Sequence, residues 1–430
     1  MKEKFNLTPL EKHWILYDIG NSAFILLVAT LLPIYFNALA GAAGLTESEY
    51  LAYWGYAGSI STILVAIIGP ICGTLSDRGG IKKPLFLVCL LLGAVGCAAL
   101  GAAWSWLSFL VIFVIAKVGY SSSLVFYDSM LTEVTTQQRM DKISALGYAY
   151  GYIGSVIPFV LCLVVVLGYE LFGISQTAAL IIAFVITAVW WILCSCPLLR
   201  SYRQTAKASD VSGSAIVDTF RQLGRSFREV SKQKHIFMYL LAFFFFIDGV
   251  YTIIEMATAY GTALGLDTTG LLLALLLTQV VAFPCSIIFG RLSAKFDTAK
   301  LIKVCILCYT GITLFAVFLR SQWQFWMLAT LVGMFQGGIQ ALSRSYLGKI
   351  IEPERSGEYY GLMDICGKGA SFVGMTLVSV VTQATDGMQW NLLGFTVENE
   401  GLAVGTLVVL FGIGFVLFCK ADQLNRARNA

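Results

Sequence analysis

Charged and amide side chains buried in long apolar runs are the residues of this sequence best placed to do chemistry. At bilayer depth an Asp or Lys costs about 2.5–3.5 kcal/mol on insertion scales, so each such residue needs a reason to be there. Asp248 and Glu255 stand two helical turns apart on one face, with Tyr251 and Thr252 between them. A helix entered near residue 236 puts Asp248 about 18 Å in, close to the bilayer midplane. Lys117 reaches a similar depth in an earlier run, and Gln336 and Gln340 share one face of a later one. Asp364 precedes Lys368 by four residues, the favourable order for an ion pair along a helix. These groups suit two tasks. Asp248 and Glu255 are expected to load and release a proton, because charge on a carboxylate is expensive where water is scarce. Lys117 and Lys368 are expected to hold an anionic group, with Tyr251, Gln336 and Gln340 as hydrogen-bonding partners. The alternative is a structural network that satisfies itself.

A second set, Asp18, Asp128, Arg344 and Asp364, lies within about two turns of the ends of its runs. Ion pairs that gate the inner surface are the expectation there. The two histidines, His13 and His235, sit at separate helix entries. With no metal cluster, paired surface carboxylates or activated nucleophile, an enzyme and a cofactor are not expected. No Walker A loop occurs, so the chain carries no ATP-driven motor. All 11 cysteines fall in or beside apolar sequence, as small core residues rather than a disulfide framework.

The elements that hold these residues follow from composition. Of 430 residues, 58% are hydrophobic and 13% charged, against roughly 45–50% and about 25% in soluble domains. Twelve membrane helices of about 20 residues account for that excess. The spans read 14–40, 50–75, 84–103, 106–131, 143–168, 177–199, 236–262, 268–292, 299–319, 324–349, 357–384 and 401–419. Alternate loops hold 26 of the 29 lysines and arginines, so both termini are expected in the cytoplasm. The fold class is thus an all-α membrane protein. Residues 1–200 and 236–430 form two six-helix bundles, joined by a cytoplasmic linker over 201–235. Ile216, Phe220, Leu223, Phe227 and Val230 recur there at helical spacing, as in an amphipathic helix on the inner leaflet. A net charge of +4 is accounted for by this topology, and nucleic acid is not an expected partner.

A repeat supports the two-halves plan. After span 2 the chain reads Gly73-Thr-Leu-Ser-Asp77-Arg78-Gly79-Gly80-Ile-Lys82-Lys83, and after span 8 it reads Gly290-Arg291-Leu-Ser-Ala294-Lys295-Phe-Asp297-Thr-Ala-Lys300. The glycines permit close helix approach, the carboxylate can face a helix N-terminus, and the final lysines are expected to grip the anionic leaflet. The first copy resembles the G-x-x-x-D-R-x-G-R/K-R/K loop of the major facilitator superfamily. That resemblance implies pseudo-symmetric halves and an Asp77–Arg78 latch between helices 2 and 11. In the second copy Ala294 replaces the aspartate, so a latch there is weaker or uses Asp297.

Trp14-Ile-Leu-Tyr17-Asp18-Ile-Gly-Asn21-Ser22-Ala-Phe24, Val125-Phe-Tyr127-Asp128-Ser-Met-Leu, Gly147-Tyr-Ala-Tyr-Gly151-Tyr-Ile-Gly154, Phe246-Ile-Asp248-Gly249 and Gln336-Gly-Gly-Ile-Gln340-Ala-Leu-Ser343-Arg344-Ser345 together resemble the vacuolar-effluxer-like branch of that superfamily. The resemblance covers essentially the whole chain. It implies alternating access, and its fungal members imply an amino-acid-like solute. Deep charges of both signs also suit a zwitterion. The expected partners are a small-molecule substrate, a proton or other ion, and membrane lipids, around a monomer in a bacterial inner membrane. An exporter or flippase of a larger amphipathic drug or lipid, and a transporter-like receptor, are the competing readings.

Overall fold

Thr8 opens the first helix with a capping box. Its hydroxyl accepts the Glu11 amide hydrogen at 3.2 Å, and the Glu11 carboxylate accepts the Thr8 amide hydrogen at 2.8 Å. Helix α1 (Pro9–Ala42) therefore starts several residues before the apolar run that betrays it in sequence. The computed structural model describes residues 6–45, 47–77, 80–205, 228, 230–385, 390–392, 395–397 and 399–429. After α1 come α2 (Glu47–Ser76), α3 (Lys82–Ala99), α4 (Trp106–Val134), α5 (Gln137–Leu167) and α6 (Gln176–Ser201). Beyond the linker follow α7 (Lys234–Ala263), α8 (Thr268–Leu292), α9 (Thr298–Val317), α10 (Gln322–Ile350) and α11 (Ser356–Ala384). A short antiparallel hairpin, β1 (Trp390–Leu392) and β2 (Phe395–Val397), precedes α12 (Asn399–Gly405) and α13 (Leu407–Asn429).

Eleven helical segments among the described residues are long and apolar enough to cross a membrane, with α12 and α13 making one of them. Helix α11 is the twelfth. Its 29 residues span about 44 Å, and its strongly apolar part is Val373–Ala384. Outward-facing Ile63, Val88, Val164 and Val416 are each more than half exposed, as expected when lipid and not water is the solvent. The hairpin is the one departure from an all-helical chain among the described residues.

The chain divides into two compact units. One holds Met1–Thr136, Tyr150–Thr219 and Pro353–Gly361; the other holds Gln137–Ala149, Phe220–Glu352 and Leu362–Ala430. The first turns of α5 thus belong to the second unit, and the first turns of α11 to the first. Within the first unit α3 packs on α4 and α1 on α6; within the second, α13 packs on α7 and α10 on α8. The amphipathic pattern over 216–230 lies almost wholly outside the described residues.

Two of the sequence motifs prove to be partners. Trp14 of α1 stacks on Tyr127 of α4 with ring centroids 4.3 Å apart, and its indole donates to the Tyr127 carbonyl at 3.0 Å. Tyr17 and Ser123 share a hydroxyl hydrogen bond at 2.7 Å. These aromatic pairs fix α1 against α4 and so fix the neighbouring Asp18 and Asp128.

Candidate functional site

In the first unit, the loop after α2 caps α11. The first amides of a helix have no partner inside it. Here the Asp77 carboxylate takes two of them, accepting from Gly357 at 2.8 Å and from Glu358 at 2.9 Å. Such closeness needs glycine on both sides. A Cβ on Gly73 would collide with the Gly357 carbonyl, and one on Gly357 with the Gly73 carbonyl. Lys82 completes the site, its ammonium 3.8 Å from Asp77, 3.1 Å from Glu133 of α4 and 3.0 Å from the Ser356 hydroxyl. Burial pushes the Asp77 carboxyl up to about 7, against the pull of Lys82 and the two amides.

This arrangement corrects the expectation that Lys82 grips the lipid leaflet. The side chain is 1% exposed, because Gly80 turns the chain at φ 81° just before α3, and Glu133 offers a buried counter-charge. Arg78, the other half of the expected pair, lies outside the described residues. Asp77 is where the motif predicts it, but the group it meets is the α11 N-terminus. The structure also adds Glu133, which the sequence reading missed because a lone acid at the end of a span carries no spacing signal.

The second unit holds a similar cluster with the charges rearranged. Gly290 brings α8 against α5, where a Cβ would lie 2.9 Å from that of Ala145. Ala294 leaves the loop without a carboxylate, and Asp297 does not replace it. Asp297 instead caps α9 through the Ala299 amide at 3.1 Å and pairs with Arg426. The buried acid is Asp141 on α5. It accepts from Ser345 and Thr298 at 2.6 Å each and pairs with Lys349 at 2.5 Å. One turn along, Arg344 donates to the Ser144 hydroxyl at 2.9 Å and to its carbonyl at 3.0 Å, and lies 4.3 Å over the Tyr148 ring. Arg344 thus joins α10 to α5 through hydroxyl, carbonyl and ring contacts.

Deeper in the second unit, Asp248 is fully buried. Its Oδ1 accepts the Gly374 amide hydrogen at 2.9 Å and the Thr252 hydroxyl at 3.3 Å. Its Oδ2 has no hydrogen-bond partner. Gly374 is required, since a Cβ there would collide with the Thr252 hydroxyl. Glu255, two turns on, is exposed, so the two acids of the stripe occupy different environments. Tyr251 is half-buried; a Cβ on Gly367 of α11 would lie 3.6 Å from its ring. Gln336 is 6% exposed, its Oε1 has no partner, and it lines a cavity of about 50 Å³ with Ile253, Ala257, Thr278, Gln279 and Leu328. Gln340 is half-buried on the same helix.

In the first unit, Lys117 is half-buried with its ammonium 5.7 Å from the Phe113 ring centre. Asp18 is buried beside Asn21, which donates to it at 3.5 Å. Asp128 and Asp364 are half-buried. The side chain of Lys368 lies outside the described residues. Asp248 and Gln336 are among the buried polar groups with an unsatisfied oxygen, as are the Ser122 and Ser343 hydroxyls, while no group of three or more metal-ligating side chains occurs among the described residues.

The comparisons agree with this architecture. A family model described as "Vacuole effluxer Atg22 like" matches residues 131–423. The chain is 38% identical over 421 residues to the MFS-type transporter YxiO of Bacillus subtilis, covering 97% of this chain and 95% of that protein. To autophagy-related protein 22-1 of Aspergillus fumigatus it is 25% identical over 280 residues, which is 58% of this chain and 45% of that protein. The match therefore spans less than half the length of the fungal relative. Among solved structures, the human organic anion transporter MFSD10 matches with a TM-score of 0.69 at 16% identity, over 95% of this chain and 98% of that one. The major facilitator transporter FucP matches with a TM-score of 0.68 at 15% identity, over 96% and 97%. At such identity these two likenesses show the fold alone, the twelve-helix major facilitator fold.

Proposed function

Because this chain belongs to the Atg22-like vacuole effluxer family of major facilitator transporters, we propose that it carries a small zwitterionic, amino-acid-like solute by alternating access, driven by protons. The observation that carries this reading is Asp248, buried with one oxygen held by Gly374 and Thr252 and the other unpartnered. A carboxyl in such a place is costly to keep charged. It takes up a proton when water reaches it from one side and gives it up when water reaches it from the other. The Thr252 and Gly374 donors hold the group in one orientation through the cycle.

Gln336 supplies an acceptor facing a small, mostly apolar cavity, which suits a solute with an N–H donor beside an apolar group. Lys117 and Lys368 hold the carboxylate end. With the basic loops in the cytoplasm of a bacterial cell, the Asp77 and Asp141 clusters lie at the inner ends of the helices. Both break and re-form as access alternates. The amino-acid-like solute is what the resemblance of the helix motifs to the vacuolar-effluxer-like branch implies, and deep charges of both signs suit it.

Purified protein in liposomes tests the reading. Labelled amino acids, sugars and nucleosides are offered singly, with and without an imposed pH gradient. Gradient-stimulated uptake of amino acids, and not of the other two classes, is expected. Uptake of none of the amino acids, or uptake indifferent to the gradient, contradicts it.

A further inference from the structure

The chain leaving α6 does not go straight into the linker. It first lays four residues across the Asp77 site, and the side chains of Tyr202, Gln204 and Thr205 all bond there. Tyr202 is 1% exposed and donates its phenol hydrogen to Glu133 Oε1 at 2.7 Å. Thr205 donates to Glu133 Oε2 twice, from its amide at 2.6 Å and its hydroxyl at 3.1 Å. Gln204 spans the loop after α2. Its Oε1 accepts from the Gly80 amide at 3.0 Å and the Lys82 amide at 3.2 Å, and its Nε2 donates to the Ser76 carbonyl at 2.8 Å.

These contacts converge on the partners of Asp77. Glu133 is the counter-ion that holds the Lys82 ammonium, which also reaches Ser356 in the first turn of α11. Ser76 and Gly80 flank Asp77 itself on either side of the turn. The chain of contacts from linker root to α11 is therefore Tyr202 and Thr205 to Glu133, Glu133 to Lys82, and Lys82 to Ser356. A parallel chain runs from Gln204 through the backbone of Ser76, Gly80 and Lys82 to the Asp77 carboxylate. Burial and the neighbouring Glu133 carboxylate hold the Tyr202 phenol far above its ordinary range, so it remains a donor at any physiological pH.

We propose that Tyr202–Thr205 is a strap through which the central linker sets the strength of the Asp77 latch. With the strap seated, Glu133 and the loop after α2 are held so that Asp77 caps α11. With it lifted, Glu133 loses three of its donors and the loop loses its bridging amide, and the first turn of α11 is released. Tyr202, Gln204 and Thr205 act as positioning residues, since they touch the partners of Asp77 and not the α11 amides. This rests on the geometry of the latch and not on the identity of the solute.

Hydrogen exchange of the full chain in lipid nanodiscs reads the latch directly, because Asp77 accepts the Gly357 and Glu358 amide hydrogens. Gln204→Ala is expected to speed exchange in the peptide over 356–361 about tenfold, as loss of roughly one net hydrogen bond would. Tyr202→Phe, which removes one oxygen and keeps the ring packing, is expected to act in the same direction and serves if Gln204→Ala does not fold. In an Asp77→Ala background, which removes both acceptor oxygens, neither change should add anything, because the cap they support is already lost. A merely structural role predicts lower thermal stability with unchanged protection over 356–361, or equal effects in both backgrounds; either overturns the strap. If Asp77→Ala itself leaves that protection unchanged, the latch and the strap both fall. If it alone speeds exchange while the strap variants do not, the strap falls and the latch stands.

Discussion

The Asp77 carboxylate accepts the amide hydrogen of Gly357, 280 residues away, at 2.8 Å. A loop at the end of the second helix thereby finishes the helix that begins near residue 356. The carboxylate is cheap to hold there when neutral and expensive when charged. Its range is raised to about 7 when capped, against an ordinary value of about 3.9 when released. The capped state therefore binds the proton more tightly, and acid favours it. That advantage is present in full below about 4 and is lost as pH rises to about 7. Exchange protection over 356–361, corrected for the intrinsic pH dependence of exchange, should fall between about pH 4 and about pH 7 in the native chain. It should be flat in Asp77→Asn.

Asp141 makes the corresponding test in the second unit. Asp141→Asn leaves Lys349 without its counter-charge and should cost about 2 kcal/mol of stability in thermal unfolding. That is below the 3–5 kcal/mol of a wholly buried pair, because Lys349 is about a quarter exposed. Lys349→Met should cost less, and the double variant should cost less than the sum of the two. Additive losses would show that the two side chains do not act as a pair.

Gly374→Ala should be disproportionately harmful for one added methyl. The new carbon meets the Thr252 hydroxyl and the Asp248 carboxylate, so α11 must shift, at about 1–3 kcal/mol. Thr252→Ala should relieve part of that collision and restore some stability. A Gly374→Ala protein as stable as the native one would contradict the close approach.

Gln336→Leu should separate stability from function. Its buried Oε1 has no partner, so replacing the amide with an apolar group of similar size should leave the unfolding temperature unchanged or raise it slightly. Affinity for the solute in counterflow should fall about tenfold. Equal loss of both would assign Gln336 to the packing of α10 alone.

The twelve spans were legible because lipid imposes an apolar run on every crossing, and the described helices begin and end close to those runs. What hydropathy hid lies where the helices leave the membrane. Helix α5 begins at Gln137 and not near 143, and the polar first turn that the apolar run omits is where Asp141 sits. Helix α13 likewise continues through Arg426, which takes Asp297 away from the latch role its position suggested. Asp77 was legible as a motif, whereas Lys82 was misread, because loop lysines usually face lipid headgroups and only the turn at Gly80 aims this one inward. Asp248 and Glu255 share a stripe in sequence, but which of them is buried depends on how closely α11 approaches, and spacing on α7 alone does not contain that.

The central claim is proton coupling at Asp248, and uptake by Asp248→Asn in liposomes tests it most directly. Asn keeps an acceptor for Gly374 and Thr252 but has no proton to exchange. The account predicts that uptake driven by an imposed pH gradient is lost while solute exchange at equal pH on both sides continues. Gradient-driven uptake at the native rate by the folded variant would contradict it.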